Sequence, residues 1–120
     1  MIIGIGCDLI DIARIEKAIA RPRFLERLYT QSERSRISER GASTAAGLFA
    51  AKEAAAKALG TGFRGFFAND IEVYWDEFGK PCLRLHSGAL ARFAELGGAE
   101  IHISISHAGG FAQAFCVIER

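Results

Sequence analysis

The stretch Phe49-Ala-Ala-Lys-Glu-Ala-Ala-Ala-Lys57, followed by Ala58-Leu59 and then Gly60-Thr-Gly62, decides the fold of this chain. Its alanines and straight-chain residues favour a long helix that ends in a glycine-rich turn. Residues four apart share a helix face, so Glu53 and Lys57 can contact one ligand. This arrangement suits a phosphate held by a metal ion. The same pair is also common on solvent-facing helices, so a second motif has to decide between the two interpretations.

That second motif is the N-terminal run Met1-Ile-Ile-Gly-Ile-Gly-Cys-Asp8. Its apolar residues alternate with two glycines and Asp8, which predicts a strand with a buried apolar face, Cys7 included, and with Asp8 on the opposite face at the strand end. Glycine beside a carboxylate lets a ligand approach the backbone closely. The alternative is that Asp8 caps the next turn, although Asp11 suits that role better.

Four segments taken together resemble a known family, and they cover essentially the whole chain. They are Gly6-Cys-Asp8 continuing to Arg14-Ile-Glu16, the stretch from Phe49 to Lys57, Gly60-Thr-Gly62, and Ile103-Ser-Ile-Ser-His107. The family is holo-[acyl-carrier-protein] synthase, the small bacterial 4′-phosphopantetheinyl transferase. The resemblance implies an α+β fold of the phosphopantetheinyl transferase type, with a largely antiparallel sheet packed against a long helix, in a single domain spanning residues 1–120.

The resemblance also implies a reaction. The 4′-phosphopantetheine group would pass from coenzyme A to a serine of apo acyl carrier protein, with Mg²⁺ as cofactor and 3′,5′-adenosine diphosphate as leaving group. Asp8 and Glu53 are implied as the metal ligands, and Lys57 completes the catalytic set by neutralising the departing phosphate. The general base, the choice of Mg²⁺ over Mn²⁺ and the tolerance for acyl-coenzyme A stay open.

Further residues are implied as contacts of coenzyme A. They are Lys57, Gly60, Thr61, Gly62 and Arg64 at the nucleotide, together with Ser106 and His107 near the end of the chain. Taken alone, a histidine at a strand end is more often structural than catalytic, and its neighbouring serine faces the other way. The resemblance favours binding over proton transfer for His107.

The net charge of +1 is unevenly distributed, because residues 14–40 hold eight basic and four acidic side chains. Such a segment is either a solvated helical face or a surface for an acidic partner. The resemblance favours docking of an acidic acyl carrier protein on Arg14, supported by Arg21, Arg23 and Phe24. Nucleic acid is not predicted as a partner, because it would require more positive charge and exposed aromatic residues.

Composition indicates one intracellular globular domain. Half of the 120 residues are apolar, and no apolar run approaches the ~18 residues of a membrane helix. The three cysteines have neither metal-ligand nor disulfide spacing, which predicts reduced thiols in a cytoplasm. Surplus apolar surface leaves room for an oligomer interface. The resemblance implies a homotrimer with sites between subunits, and a place in fatty-acid biosynthesis and lipid metabolism, although a polyketide carrier stays open.

The remaining patterns predict short elements around the long helix. We expect a helix capped by Asp11, a helix opened by the capping box Thr30-x-x-Glu33, a hairpin of Ile71–Trp75 with Cys82–His86, a helix from Gly88 to Leu96, and two strands, Glu100–Ser106 and Phe111–Ile118. The long helix is expected to begin at Ser43 or Thr44 and to end at Leu59.

One departure from the family pattern is Leu48, which stands where relatives usually carry an arginine. A leucine cannot contact a phosphate, so the sequence predicts either weaker binding of the coenzyme or substitution by Arg64 or Arg40. Two rival functions therefore stay open. The chain could be a module that binds coenzyme A or a carrier protein without transfer, or a different magnesium-dependent enzyme acting on a phosphorylated substrate.

Overall fold

The structure is a computed structural model that describes residues 1–120. Its elements are β1 (Ile2–Asp11), α1 (Ile12–Ile19), α2 (Pro22–Leu28), α3 (Gln31–Arg40), α4 (Ala42–Ala58), a 3-10 helix (Ala68–Asp70), β2 (Ile71–Trp75), β3 (Pro81–Leu85), α5 (Ser87–Glu95), β4 (Glu100–Ala108) and β5 (Phe111–Glu119). The strands form a three-stranded sheet, in the order β1-β5-β4, and a β2-β3 hairpin, and every pairing is antiparallel. The predicted α+β class is confirmed.

Local signals set several of the element boundaries. Asp11 Oδ1 accepts from the Ala13 N–H at 2.9 Å and caps α1. Thr30 and Glu33 form the predicted capping box at the start of α3. Gly41, with a φ of 91°, separates α3 from α4. No helix is both long enough and apolar enough to cross a bilayer.

Helix α4 lies at the centre of the molecule and packs across the three-stranded sheet. Its buried positions are mostly alanines, which let backbones approach closely. A Cβ at Gly4 would lie 2.2 Å from the Ala58 carbonyl oxygen, and one at Gly6 would lie 2.0 Å from the Ala54 oxygen. Only glycine therefore fits at these two positions of β1, where the strand meets the helix.

The predicted orientation of β1 is wrong. Its glycine face meets α4, so Ile5 and Leu9 point away from the helix and are 70% and 59% exposed. Cys7 is exposed as well, although it was expected to face the core. The close approach of α4 explains the inversion, since a larger side chain would separate strand and helix. The strand also continues to Asp11, so Asp8 lies within it rather than at its end.

A buried ion pair connects α4 to its other neighbours. Lys52 Nζ lies 2.8 Å from Glu33 Oε1, and both side chains are almost completely buried. The ammonium also donates to the carbonyl oxygens of Ala68 and Ile71, while Glu33 Oε2 accepts from the Val73 N–H at 2.8 Å. Burial lowers the pKa of Lys52, and the charge of Glu33 opposes that shift. These contacts hold α3, α4 and β2 in one fixed arrangement.

Candidate active site

Strand β1 and helix α4 bring Asp8, Glu53 and Lys57 together, as the sequence predicts. Lys57 Nζ lies 2.9 Å from Asp8 Oδ1 and also donates to the Cys7 carbonyl oxygen at 2.9 Å. The second carboxylate oxygen of Asp8, Oδ2, is buried and has no hydrogen-bond partner. Because a buried carboxylate oxygen is normally paired, this atom indicates a missing ligand.

Charge repulsion between Asp8 and Glu53 also indicates that a ligand is missing. Burial and the negative charge of Asp8 raise the pKa of Glu53, while Lys57 lowers it. The hydrogen bond to Asp8 raises the pKa of Lys57, which stays protonated. A divalent cation between the two carboxylates would relieve the repulsion and pair the free oxygen. The donor set, all hard oxygen atoms, fits Mg²⁺.

A groove of about 550 Å³ lies beside these carboxylates, between β1, α1 and α4. Arg14, Lys17 and Arg21 give it a basic rim. Its apolar wall includes Phe24 and Phe49, whose rings are stacked with centroids 6.2 Å apart. Phe49 precedes Glu53 by one helical turn, so this wall of the groove and Glu53 lie on the same face of α4. Of the predicted docking residues, only Arg23 does not line it.

The glycine turn after α4 was predicted to bind the nucleotide, but in the structure it closes the end of the helix. Gly60 and Gly62 both have positive φ, at 80° and 60°. Their N–H groups donate to the carbonyl oxygens of Lys57 and Ala56, at 3.0 and 3.2 Å. These two donors close the helix end, and they are therefore not free to bind a nucleotide. The Thr61 hydroxyl donates to the Gly62 carbonyl oxygen.

Arg64, in the same loop, is exposed and forms no ion pair or side-chain hydrogen bond. The structure therefore leaves its guanidinium available to a ligand. It does not place Arg64 beside Leu48, which lines a separate pocket.

That pocket lies at the other end of α4 and has a volume of about 280 Å³. His107 lines it and has its Nε2 atom 2.9 Å from the Ser43 carbonyl oxygen. Gly47 faces the same ring, and a Cβ there would lie 2.9 Å from His107 Nε2. Ser106 neighbours His107 in β4 and points to the opposite side of the sheet, so the structure does not bring these two residues together.

The pocket contains charged residues that sequence reasoning missed. It is lined by Arg36, Arg40, Thr44, Gly47, Leu48, Trp75, Gly79, Pro81, Ile105 and His107. The sequence predicts a role for Arg40 but gives no such signal for Arg36 or Trp75. They are far apart in the chain, so no local spacing connects them.

Two separate clusters therefore occupy α4. His107 contacts the helix at Ser43, whereas Glu53 is ten residues further along, which is about 15 Å of helix axis. The carboxylate pair and the basic pocket of one chain lie at opposite ends of this helix.

The chain is similar to known proteins over nearly its whole length. A family profile described as the 4′-phosphopantetheinyl transferase superfamily matches residues 4–116. A holo-[acyl-carrier-protein] synthase of Solidesulfovibrio magneticus is 48% identical over 122 aligned positions, covering 99% of each chain. The holo-[acyl-carrier-protein] synthase of Helicobacter pylori in complex with coenzyme A superposes with a TM-score of 0.85 at 35% identity, covering 96% of this chain and 99% of that one.

A third relative is the Bacillus anthracis holo-(acyl-carrier-protein) synthase in complex with coenzyme A (3′,5′-ADP). It superposes with a TM-score of 0.82 at 40% identity, and the match covers 98% of this chain and 96% of that one.

Proposed function

The chain belongs to the 4′-phosphopantetheinyl transferase superfamily, as an enzyme of the holo-[acyl-carrier-protein] synthase family, and we propose a magnesium-dependent route for its reaction. The family reaction moves phosphopantetheine from coenzyme A to acyl carrier protein. We propose that this chain releases 3′,5′-adenosine diphosphate in doing so. The observation that carries the proposal is the unpartnered buried oxygen of Asp8 beside Glu53 and Lys57.

Asp8 and Glu53 would hold the cation. Bound Mg²⁺ supplies positive charge to the phosphoryl oxygens, where negative charge accumulates during transfer. Glu53 must be ionised to bind it, and the raised pKa of Glu53 makes this ionisation sensitive to acid. Asp8 is held in position by its hydrogen bond to Lys57.

Lys57 supplies a fixed charge for the leaving group. A serine hydroxyl of the carrier attacks the phosphorus that bears the pantetheine arm, and a new phosphorus–oxygen bond forms as the diphosphate bridge breaks. The serine proton passes to solvent, and the electron pair of the broken bond goes to the departing phosphate. Because its pKa is raised, Lys57 stays cationic and can neutralise that phosphate.

The groove beside Glu53 is the proposed docking site for an acidic carrier protein. Arg14 and Arg21 are exposed on its rim with no intramolecular ion pair, so their charges are free to meet carboxylates. Arg23 is exposed on the adjoining helix and would add charge outside the groove. The apolar wall would receive the part of the carrier that surrounds the acceptor serine.

We also propose a homotrimer with sites between subunits. The outward face of the sheet exposes Ile5, Leu9 and Phe115, which are 70%, 59% and 52% exposed, and a second copy of the chain is the proposed occupant. The distance between the basic pocket and the carboxylate pair supports this, because coenzyme A would contact the carboxylates of one subunit and the pocket of the next. His107 would then serve a neighbour's reaction, whereas Ser106, on the opposite face of β4, would lie outside this pocket.

Subunit mixing tests this arrangement. Glu53→Ala and Arg40→Ala/His107→Ala chains, each inactive alone, are co-expressed with different tags, and mixed trimers are purified. If sites lie between subunits, every mixed trimer has one intact site out of three, so the purified mixed trimers should show about one third of wild-type activity. If each chain contains a whole site, mixing restores nothing and the arrangement is wrong.

Two further assignments remain proposals. We infer that residues 1–120 act as one domain, supported by a single cluster of 23 buried residues. We place the reaction in the cytoplasm and in fatty-acid biosynthesis, supported by three free cysteines and by the family's carrier substrate.

The function is tested by the intact mass of apo acyl carrier protein after incubation with this protein, coenzyme A and Mg²⁺. We expect the carrier to gain one phosphopantetheine and the supernatant to contain 3′,5′-adenosine diphosphate. EDTA or the Glu53→Ala substitution should abolish both. Coenzyme A binding without transfer by the folded protein would indicate a binding module instead, and adenine-nucleotide release without carrier modification would indicate a different enzyme.

A further inference from the structure

A histidine and two glutamates lie together where β4 begins and β5 ends. The Nε2 atom of His102 lies 2.8 Å from Glu119 Oε1 and 3.3 Å from Glu100 Oε2. One ligand atom from each of these residues lies within 4.8 Å of the other two. An imidazole nitrogen together with carboxylate oxygens is a donor set that divalent transition-metal ions such as Zn²⁺ accept.

The register of the sheet places the two glutamates directly opposite each other. Glu100 on β4 pairs with Glu119 on β5, and His102 follows Glu100 by two residues on the same face. Like charges directly opposite across two strands destabilise the pairing. On its other side Glu119 pairs with the apolar Ile2, and no lysine or arginine forms an ion pair with either glutamate. The two carboxylates therefore lack a permanent positive charge.

The His102 ring cannot satisfy both carboxylates. Both contacts use the same atom, Nε2, which carries at most one hydrogen, so an N–H that points to Glu119 leaves Glu100 without a good donor. With metal–ligand bonds of about 2.1 Å, the ligand atoms of a tetrahedral zinc ion lie about 3.4 Å apart. The two separations from Nε2 are already close to this value, and glutamate side chains are flexible enough to complete the approach.

A second histidine–glutamate contact in the molecule is completed in a different way. His86 Nε2 lies 3.0 Å from Glu72 Oε1, and Arg84 lies 3.5 Å from the same oxygen. Arg84 is the cross-strand partner of Glu72 in the β2–β3 pair, and two hydroxyl groups donate to the other oxygen of Glu72. The protein itself therefore supplies a cation to Glu72. At the corresponding cross-strand position Glu119 has a second carboxylate instead.

The cluster is open to an ion and remote from the carboxylate pair at Asp8. The side chains of His102, Glu119 and Glu100 are 40%, 43% and 68% exposed. They lie at the end of the outward sheet face, four residues beyond Phe115 along β5. Asp8 pairs with β5 five residues before Glu119, which is about 17 Å along the strand. An ion bound here is therefore a separate ion.

We propose that Glu100, His102 and Glu119 bind a divalent transition-metal ion such as Zn²⁺, with water completing its coordination. The ion takes the place of the single hydrogen between Nε2 and the carboxylates, and its charge removes the repulsion across the strand pair. It also fixes the edge strand β4 to β5. The inference does not rest on the proposed function, because none of these three residues takes part in the transfer.

Nuclear magnetic resonance of the imidazole nitrogens tests the position of the ion. The chain has three histidines, His86, His102 and His107, so an untagged protein gives few signals to assign. One equivalent of Zn²⁺ per chain, added in excess Mg²⁺, should shift the Nε2 signal of His102 and leave the other two rings unchanged. EDTA should reverse the shift. No shift at His102, or equal shifts at all three rings, would overturn the proposal.

Calorimetric titration with Zn²⁺, again in excess Mg²⁺, tests the individual ligands. His102→Asn and Glu119→Gln should each weaken binding about tenfold or more, because a ligand contributes at least as much as a group that only orients one. Glu100→Gln changes an exposed side chain, so it should weaken binding without disturbing the fold, which circular dichroism checks. Affinity equal to wild type in all three variants contradicts the site.

Two matched variants control the titration. His86→Asn removes the histidine whose glutamate already has an arginine partner, and it should leave the Zn²⁺ affinity unchanged. Glu53→Gln alters only the carboxylate pair beside Asp8, and it should also keep the His102-dependent binding. If Glu53→Gln abolished Zn²⁺ binding, the ion would occupy the carboxylate pair instead, and the proposal would be wrong.

Discussion

Lys52 and Glu53 are neighbours in the sequence of α4, yet the two sides of this helix treat charge in opposite ways. Lys52 is buried with three partners, of which Glu33 carries the opposite charge. Glu53 is half-buried beside a carboxylate of like charge, and the Oδ2 atom of that carboxylate, Asp8, has no partner. One side of the helix satisfies its charges internally, and the other leaves them unsatisfied.

This difference in charge pairing distinguishes a residue that stabilises the fold, Lys52, from one proposed to bind a ligand, Glu53. A buried ion pair whose remaining polar atoms are bonded contributes to holding elements together, and removing one partner leaves a costly uncompensated charge. Like charges with a free oxygen reduce the stability of the empty protein, and such arrangements are typical of sites completed by a ligand. Adjacent charged residues of one motif can therefore have unrelated roles.

The largest expected effect is on catalysis. Glu53→Gln keeps the shape of the side chain but removes a metal ligand, so we expect kcat/KM to fall by about three orders of magnitude or more. The thermal midpoint should stay the same or rise at neutral pH, because the repulsion with Asp8 is lost. Turnover and calorimetry of the same preparation measure both. A fully active Glu53→Gln protein would contradict the comparison.

The next effect is on stability. Lys52→Met leaves Glu33 buried without its ion pair, and we expect the free energy of unfolding to fall by about 3 kcal/mol. Adding Glu33→Gln removes the unpaired buried charge and keeps an acceptor for the Val73 N–H, so the double variant should recover part of the lost free energy of unfolding. Urea denaturation measures these values. Stability equal to wild type in the single variant would show that the pair contributes nothing.

A smaller effect is expected on the pH dependence of Mg²⁺ binding. The charge of Lys57 lowers the pKa of Glu53, which burial and Asp8 raise, so Lys57→Met should raise it further. Cation binding needs the ionised carboxylate and is lost as the pH falls through that pKa. The acid limb of Mg²⁺ affinity, measured by calorimetry, should therefore move to higher pH by up to about one unit. Lys80→Met, on the exposed hairpin turn, should leave it unchanged.

The smallest effect is expected at a charge that is exposed rather than buried. Arg14→Ala should raise the KM for the carrier protein only a few-fold, without changing kcat, and more strongly at low salt because exposed charges are screened. Arg27→Ala, an exposed change outside the groove, serves as control. Equal salt dependence in wild type and Arg14→Ala would argue against docking at this position.

Much of the fold follows from local patterns. The capping box, the glycine after α3, the hairpin turn and the alternation of the last two strands are short-range signals, and the structure has each element close to where it was predicted. The orientation of β1 could not be predicted in this way. Alternation alone indicates that one face is buried, but the choice of the glycine face depends on the closeness of α4, which is a long-range property.

Prediction of the candidate site is likewise limited to what local patterns indicate. Asp8, Glu53 and Lys57 were chosen from helical spacing and from the family resemblance, and the structure brings them together. The use of the Gly60 and Gly62 N–H groups by the helix end was not foreseen, because a glycine turn is equally typical of helix termination and of phosphate binding. Arg36 and Trp75 meet only through the packing of α3 against the hairpin.

The strand order has a consequence for how the chain is made. Both β1 and β4 obtain their ladder hydrogen bonds only from β5, the last strand in sequence order. During synthesis from the N-terminus, Asp8 is made early but its strand stays unpaired until residues 111–119 have left the ribosome. The carboxylate proposed to bind the metal ion is thus among the first residues translated and among the last to be fixed in place.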